Sequence, residues 1–193
     1  MLEDGKKIWN VPNILTMLRL FLIPIYWMLM MVRNNETAAL IVFVTASATD
    51  LLDGYIARHY NQVTDWGKLF DPLADKLMVI SVMLTLVLKG AAPLVILLII
   101  AVKELTMMIG AACMLRHEIV VYSKPIGKTA QFTMVLGMIL AFFRDSFSAP
   151  YHLYVLWLAT GLTLVAFIYY GRGCIKALGG KKQSADTEIT KEQ

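Results

Sequence analysis

The sequence predicts an all-α, polytopic membrane protein, with six transmembrane helices behind an N-terminal interfacial helix. Three observations predict it. Apolar residues make up 58% of the 193 positions and charged residues only 17%, with a mean hydropathy of +0.63, well above a soluble average. Apolar runs that approach the roughly 20 residues needed to cross a bilayer core recur along the chain. Most of the remaining charges gather where those runs end, as loop charges do. The length suits one domain: a membrane domain over 1–178, then a polar tail over 179–193 that is expected to lack order.

In chain order, Met1 to Asn10 is polar and holds Glu3 and Asp4. It lacks the charged-then-apolar layout of a cleavable signal peptide, so the first span is expected to stay in the mature protein. Pro12 suits the first turn of a helix and Asn13 or Thr16 can cap it, while Lys6, Lys7 and Trp9 mark an interface. An interfacial helix is expected to lead into span one, about 18–32, with a kink at Pro24. After the short loop from Arg33 to Glu36, span two is expected from about Thr37 to Arg58 and span three from about Gly67 to Leu88. Lys89 to Pro93 turns the chain into span four, about Leu94 to Leu115. A longer polar connection, 116–128, precedes span five, about Thr129 to Phe143, and span six ends near Gly171.

Six spans put both termini on one side. That side holds Lys6, Lys7, Arg58, Lys68, Arg116, Lys124, Lys128, Arg172, Lys176, Lys181 and Lys182, against Arg33, Lys89 and Arg144 on the other. The positive-inside rule then places both termini in the cytoplasm. The net charge of +4 is better explained by membrane lipids and phosphate-bearing substrates than by nucleic acid, because the basic residues cluster beside apolar spans. Cys113 and Cys174 stand alone in apolar surroundings, so no structural zinc or disulfide frame is indicated.

The chemistry concentrates between Asp50 and Asp75. Asp50, Asp53, Gly54, Ala57 and Arg58 share one face of a helix, and Gly67, Asp71 and Asp75 share another. If the chain turns back between them, four carboxylates converge where small residues leave room. A carboxylate in a span costs a few kcal/mol, so four are hard to explain as packing, even with Arg58, Lys68 or Lys76 to neutralise them. An ion or proton transporter is the other reading, but no acidic or broken segment matches the cluster on the opposite side. Carboxylate oxygens suit hard cations such as Mg2+ or Mn2+, which share open positions with substrate phosphates. Two such ions can bridge a diphosphate while one carboxylate takes the proton of an incoming hydroxyl. That is phosphoryl-transfer chemistry, and its place at a membrane interface suggests a lipid substrate.

The spacing Asp-x2-Asp-Gly-x2-Ala-Arg-x8-Gly-x3-Asp-x3-Asp resembles that of the CDP-alcohol phosphotransferases, also called CDP-alcohol phosphatidyltransferases. Asp50, Asp53, Gly54, Ala57, Arg58, Gly67, Asp71 and Asp75 match every fixed position. The resemblance implies transfer of a phosphoryl-linked lipid from a CDP-linked donor to an alcohol, with release of CMP and dependence on divalent metal. By position it implies metal ligation by Asp50, Asp53, Asp71 and Asp75, with Asp75 also the base. Gly54, Ala57, Arg58 and Gly67 would form the bed for CDP, joined by Asn13 and Thr16. A homodimer is expected from the same resemblance, with Gly137 or Gly161 able to pack an interface.

Acceptor choice has to come from outside that motif, and the resemblance leaves glycerol 3-phosphate, phosphatidylglycerol, inositol phosphate and serine as the alternatives. Pro12-Asn13-x2-Thr16-x2-Arg19 and Asp71-Pro72-Leu73-Ala74-Asp75-Lys76 resemble bacterial phosphatidylglycerophosphate synthases, which join CDP-diacylglycerol to glycerol 3-phosphate; cardiolipin synthases share the second stretch. An acceptor that carries phosphate needs cations, and Lys103, Lys124 and Lys128 are the candidates. Lys103-Glu104 stands where the resembling synthases have Arg-Glu, and Lys lacks the bidentate fork of Arg. Lys103 is alternatively the partner of Glu104. Lys124 and Lys128 are equally readable as topological charges. Gln131 suits either a helix-to-helix hydrogen bond or a substrate contact.

Overall fold

The computed structural model describes the backbone of residues 11–59, 65–116 and 125–191, and side chains over 13–49, 73–110 and 126–173. Among the described residues all regular structure is helical. Helices α1 (Val11–Trp27), α2 (Glu36–His59), α3 (Asp65–Leu88), α4 (Leu94–Arg116), α5 (Pro125–Phe142) and α6 (Tyr151–Lys191) are joined by a π-turn at Met28–Val32 and a 3-10 turn at Arg144–Ser146.

Helix ends follow local chemistry. Asn34 takes the left-handed conformation (φ 49°) that asparagine tolerates, and the Asn35 side chain accepts the Ala38 N–H at 2.9 Å to cap α2. Gly90, at φ 71°, closes α3: its N–H donates to Val87 O at 3.0 Å, and that of Ala91 to Leu86 O at 2.8 Å. This pair of bonds satisfies carbonyls that the helix leaves open. Pro125 opens α5, four residues earlier than expected, at the one helical position where its missing N–H costs nothing.

The N-terminal segment differs from expectation. No break separates an interfacial helix from span one; α1 continues from Val11 past Pro24, and the departure from α geometry comes at Met28–Val32. The physical reason lies in which face is polar. Asn13, Thr16 and Arg19 recur every three residues and are all buried, so they face the bundle and not a headgroup layer. At the other end α6 continues through 179–190, where composition points to a tail without order. Residues 151–191 contain no proline, and Gly179-Gly180 weakens a helix without ending it.

Helix α1 packs against α2 and α3, α4 against α3 and α6, and α5 against α6. The core where they meet includes Tyr26, Met30, Phe43, Met83, Leu86, Ile96, Met138 and Leu156. Thr85 gives its hydroxyl proton to Val82 O, so Tyr26 donates to Thr85 Oγ1, at 2.6 Å, and joins α1 to α3. The distribution is that of a bundle in lipid: Phe21, Val32 and Phe132 are more than two-thirds exposed, whereas Arg19, Thr85 and Thr160 are buried. Among the described residues, two helical stretches, Asn13–Val32 and Tyr151–Gly173, are long and apolar enough to cross a membrane, and Glu36–Thr49 and Ile126–Phe142 are shorter apolar helices.

One end of the bundle is closed by charge. Glu36 accepts from Arg144 Nη1 and Nη2, both at 3.2 Å, and pairs with Lys89 Nζ at 3.6 Å; Lys89 also donates to Asn34. A single carboxylate thus ties the α1–α2, α3–α4 and α5–α6 connections.

Gly137 serves packing within the chain. A Cβ there would lie 2.9 Å from Leu156 Cδ2 and 3.2 Å from Leu156 N, so α5 and α6 could not approach as they do. Gly161 has nothing within 4 Å of a Cβ. Gly137→Val is expected to destabilise the protein by about 1–3 kcal/mol, read as a lower melting temperature in detergent with the oligomeric state unchanged in light scattering. Loss of a dimer at constant melting temperature would move Gly137 to an interface between copies.

Candidate active site

The acidic motif spans two helices as its spacing requires. Asp50, Asp53, Gly54, Ala57 and Arg58 lie in the C-terminal part of α2, and Gly67, Asp71 and Asp75 in the N-terminal part of α3. Of these, only Asp75 has its side chain among the described residues; Lys124 lies outside the described residues altogether. Because the α1–α2 connection is short, the two helices run antiparallel and the N-terminal half of α1 lies level with the acidic part of α2. Asn13 and Thr16 are therefore at the same end of the bundle as the motif, on the buried face of α1, with Arg19 one turn further in. In the sequence Arg19 stands out only as part of a resemblance; its burial, at 1% exposure, gives it a structural place beside Asn13 and Thr16.

Asp75 opens onto a cavity of about 430 Å³ between α3, α4, α5 and α6. Its polar lining includes Asp75, Lys76, Lys103, Glu104, Lys128 and Gln131. Below, Val79, Ile100, Met107, Met134 and Phe167 make an apolar wall. At 1.5 Å per residue, Asp75, Glu104 and Gln131 stand about 15–20 Å from the helix ends that Glu36 closes. They therefore lie toward the acidic end of the bundle.

Charge in the cavity is arranged by Glu104. Its Oε2 accepts Lys76 Nζ at 3.0 Å and its Oε1 accepts Lys103 Nζ, which ties α3 to α4. Lys103 is thus both the ion-pair partner of Glu104 and a wall of the cavity. Among the described lining residues, Lys128 joins Lys76 and Lys103, so three lysines stand beside Asp75 and Glu104 and can receive an anionic group. Asp75 Oδ2 accepts a hydrogen bond from Gln131 Nε2 at 2.7 Å, which selects the helix-to-helix reading of Gln131. On the far wall Tyr170 packs over Gly127, where a Cβ would come within 3.0 Å of its hydroxyl. Tyr170, Phe167 and Thr163, all from α6, carry no signal in the sequence, because aromatic and Thr residues in an apolar run are indistinguishable from lipid-facing ones until the helices are packed.

The donor set suits a hard divalent cation, with all four predicted ligands being carboxylates. Among the described residues no group of three or more His, Cys, Asp or Glu gathers, and three of the four aspartate side chains are outside that description.

Comparison with known proteins decides the family. Residues 9–165 match the family described as CDP-alcohol phosphatidyltransferase. The chain belongs to this family. Among its relatives is a protein of Rickettsia typhi named CDP-diacylglycerol–glycerol-3-phosphate 3-phosphatidyltransferase, 34% identical over 86% of this chain and 97% of its own. A probable phosphatidylglycerophosphate synthase of Mycobacterium tuberculosis is 30% identical over 93% of this chain and 88% of its own. A Streptomyces coelicolor protein named cardiolipin synthase (CMP-forming) is 29% identical over 72% of this chain and 67% of its own.

Glu104→Ala would leave two ammonium groups side by side at 16–25% side-chain exposure for the trio. It is expected to destabilise the phosphatidyltransferase by about 1–3 kcal/mol. A melting temperature equal to the wild type would show that the two lysines do not depend on Glu104.

Proposed function

We propose that this chain transfers the phosphatidyl group of CDP-diacylglycerol to glycerol 3-phosphate, giving phosphatidylglycerol phosphate and CMP. The observation that carries the reading is the cavity. It sets Asp75, the motif carboxylate with a described side chain, beside Lys76, Lys103 and Lys128, and so offers a base and a cationic seat in one space. An acceptor that brings its own phosphate needs both. The names of the Rickettsia typhi and Mycobacterium tuberculosis relatives support the same acceptor.

In this reading the acceptor phosphate sits among the lysines, and its hydroxyl points to Asp75. Asp75 takes the hydroxyl proton as the oxygen bonds to the lipid-linked phosphorus, and the bond from that phosphorus to CMP breaks. Asp50, Asp53, Asp71 and Asp75 would hold Mg2+ or Mn2+, two ions in all, which supply charge withdrawal from the diphosphate. Gly54, Ala57, Arg58 and Gly67, with Asn13 and Thr16 of α1, would hold the CDP group. Lys124 would extend the cationic seat. Lys103 binds phosphate as a point charge, without the fork an arginine would bring.

The setting we infer is a bacterial cytoplasmic membrane crossed six times by a domain over 1–178, with 179–193 as a polar extension and both termini and the site facing the cytoplasm. Pairing of Lys89 and Arg144 with Glu36 supports this orientation, since it offsets positive charge at the opposite end. A homodimer is part of the same reading, with Gly161 still open for contact. The second reading is a cardiolipin synthase that uses phosphatidylglycerol. It draws on the Streptomyces coelicolor relative and on the apolar wall, which would suit an acceptor with acyl chains.

The test is CMP release by purified protein in detergent, given CDP-diacylglycerol and Mg2+, with glycerol 3-phosphate or phosphatidylglycerol as acceptor. Stimulation by glycerol 3-phosphate alone is expected, and stimulation by phosphatidylglycerol alone would transfer the assignment to the second reading. Asp75→Asn should lower turnover by about 100-fold or more while CDP-diacylglycerol still binds. Lys103→Ala should raise the KM for glycerol 3-phosphate by about tenfold, the loss of one charge-assisted contact; an unchanged KM would remove Lys103 from the acceptor seat.

A further inference from the structure

Gln131 lies on α5 between Ala130 and Phe132, in a helix that is otherwise apolar beyond Thr129 except for Thr133. Its amide reaches across to α3, 56 positions away in sequence, and donates to one oxygen of Asp75 at 2.7 Å, on the wall of the cavity. We propose that Gln131 is the positioning residue of the Asp75 carboxylate. It holds the carboxylate plane at a fixed rotation, so that the base meets the acceptor hydroxyl at hydrogen-bonding geometry. This rests on the reading of Asp75 as the base.

Three physical points lead there. The terminal torsion of an aspartate is soft and nearly two-fold, so burial alone does not set the plane of its oxygens. A base works only within hydrogen-bonding reach of the proton it takes, and a displacement of about 1 Å costs on the order of 100-fold in rate. A hydrogen bond from a different helix narrows that freedom. The chemistry of the partner matters as well. A carboxylate accepts and does not donate, so the amide nitrogen, and not the amide oxygen, faces Asp75. An amide also aims a carboxylate without adding a countercharge, whereas an ammonium in the same place would pair with it. The ammonium next to Asp75 in sequence, Lys76, is held 3.0 Å from Glu104 instead. The cavity thus separates two tasks: Glu104 arranges the lysines, and Gln131 arranges the base.

A purely structural tie predicts something different. Gln131 would then serve only to join α5 to α3, and its loss would show in stability and not in rate.

The experiment uses the full chain in detergent. Gln131→Met keeps length and bulk but removes the donor; Gln131→Glu keeps the shape and puts an acceptor where the donor was. Both are expected to lower kcat about 10- to 100-fold. The KM for either substrate should stay within about twofold and the melting temperature within about 2 °C. A melting temperature that drops while kcat per folded molecule holds would make Gln131 a structural tie and overturn the proposal. A rise confined to acceptor KM would overturn it too, by making Gln131 a substrate contact. Should one variant fail to fold, the other carries the comparison. Asp75→Asn, assayed in parallel, separates the two levels. If it retains turnover, the base reading fails and this proposal with it; if it is inactive while Gln131→Met runs at full rate, only the positioning role fails.

Discussion

Charge held among apolar helices has to be answered from within the protein, because lipid supplies no hydrogen bonds. Glu104 gives that answer for the cavity. One carboxylate engages two ammonium groups, Lys76 from α3 and Lys103 from its own helix. The arrangement is satisfied enough to fold, yet it leaves one of the two ammonium charges without a carboxylate of its own in Glu104. A complete pairing would be more stable in isolation and useless for drawing in an anion. The same trio explains why Lys76 does not compete for Asp75, and so why a neutral amide from α5 can reach that carboxylate.

The two ends of the bundle are built for different purposes. Away from the acidic motif, Glu36 gathers Arg144, Lys89 and the nearby connections, and the Tyr26–Thr85 hydrogen bond sits in dense packing with Met30, Phe43 and Met83 around it. Toward the motif, α3, α4, α5 and α6 leave a cavity, and Tyr170 packs against Gly127 on its wall. Close packing at one end lets the other end stay open without loss of register, in the manner of a rigid scaffold that carries a site at its rim.

Much of the fold is legible in the sequence because lipid imposes length. The expected edges of spans two, three and four fall within about two residues of α2, α3 and α4. Sequence and structure part where local chemistry competes with hydropathy. Pro125 extends α5 into a stretch that reads as polar connection, and Asn13, Thr16 and Arg19, in the segment expected to be an interfacial helix, face inward. The motif residues stand out in the sequence because carboxylates within an apolar span are costly and rare. Gln131 and Tyr170 are not assignable in that way, since their roles depend on which helix lies opposite, and that is set by packing such as the close approach at Gly137 and not by any periodicity along the chain.

The Glu36 cluster also bears on how the molecule is made. Its two arms differ in origin: Lys89 lies at the end of α3, whereas Arg144 comes 108 positions after Glu36. During synthesis Glu36 can meet Lys89 once α4 begins, but the two-pronged contact must wait until α5 has been delivered. The clasp therefore closes late, first loosely and then firmly. A chain that ends before that point holds Glu36 with Lys89 alone, so the carboxylate is fully answered only in the finished bundle.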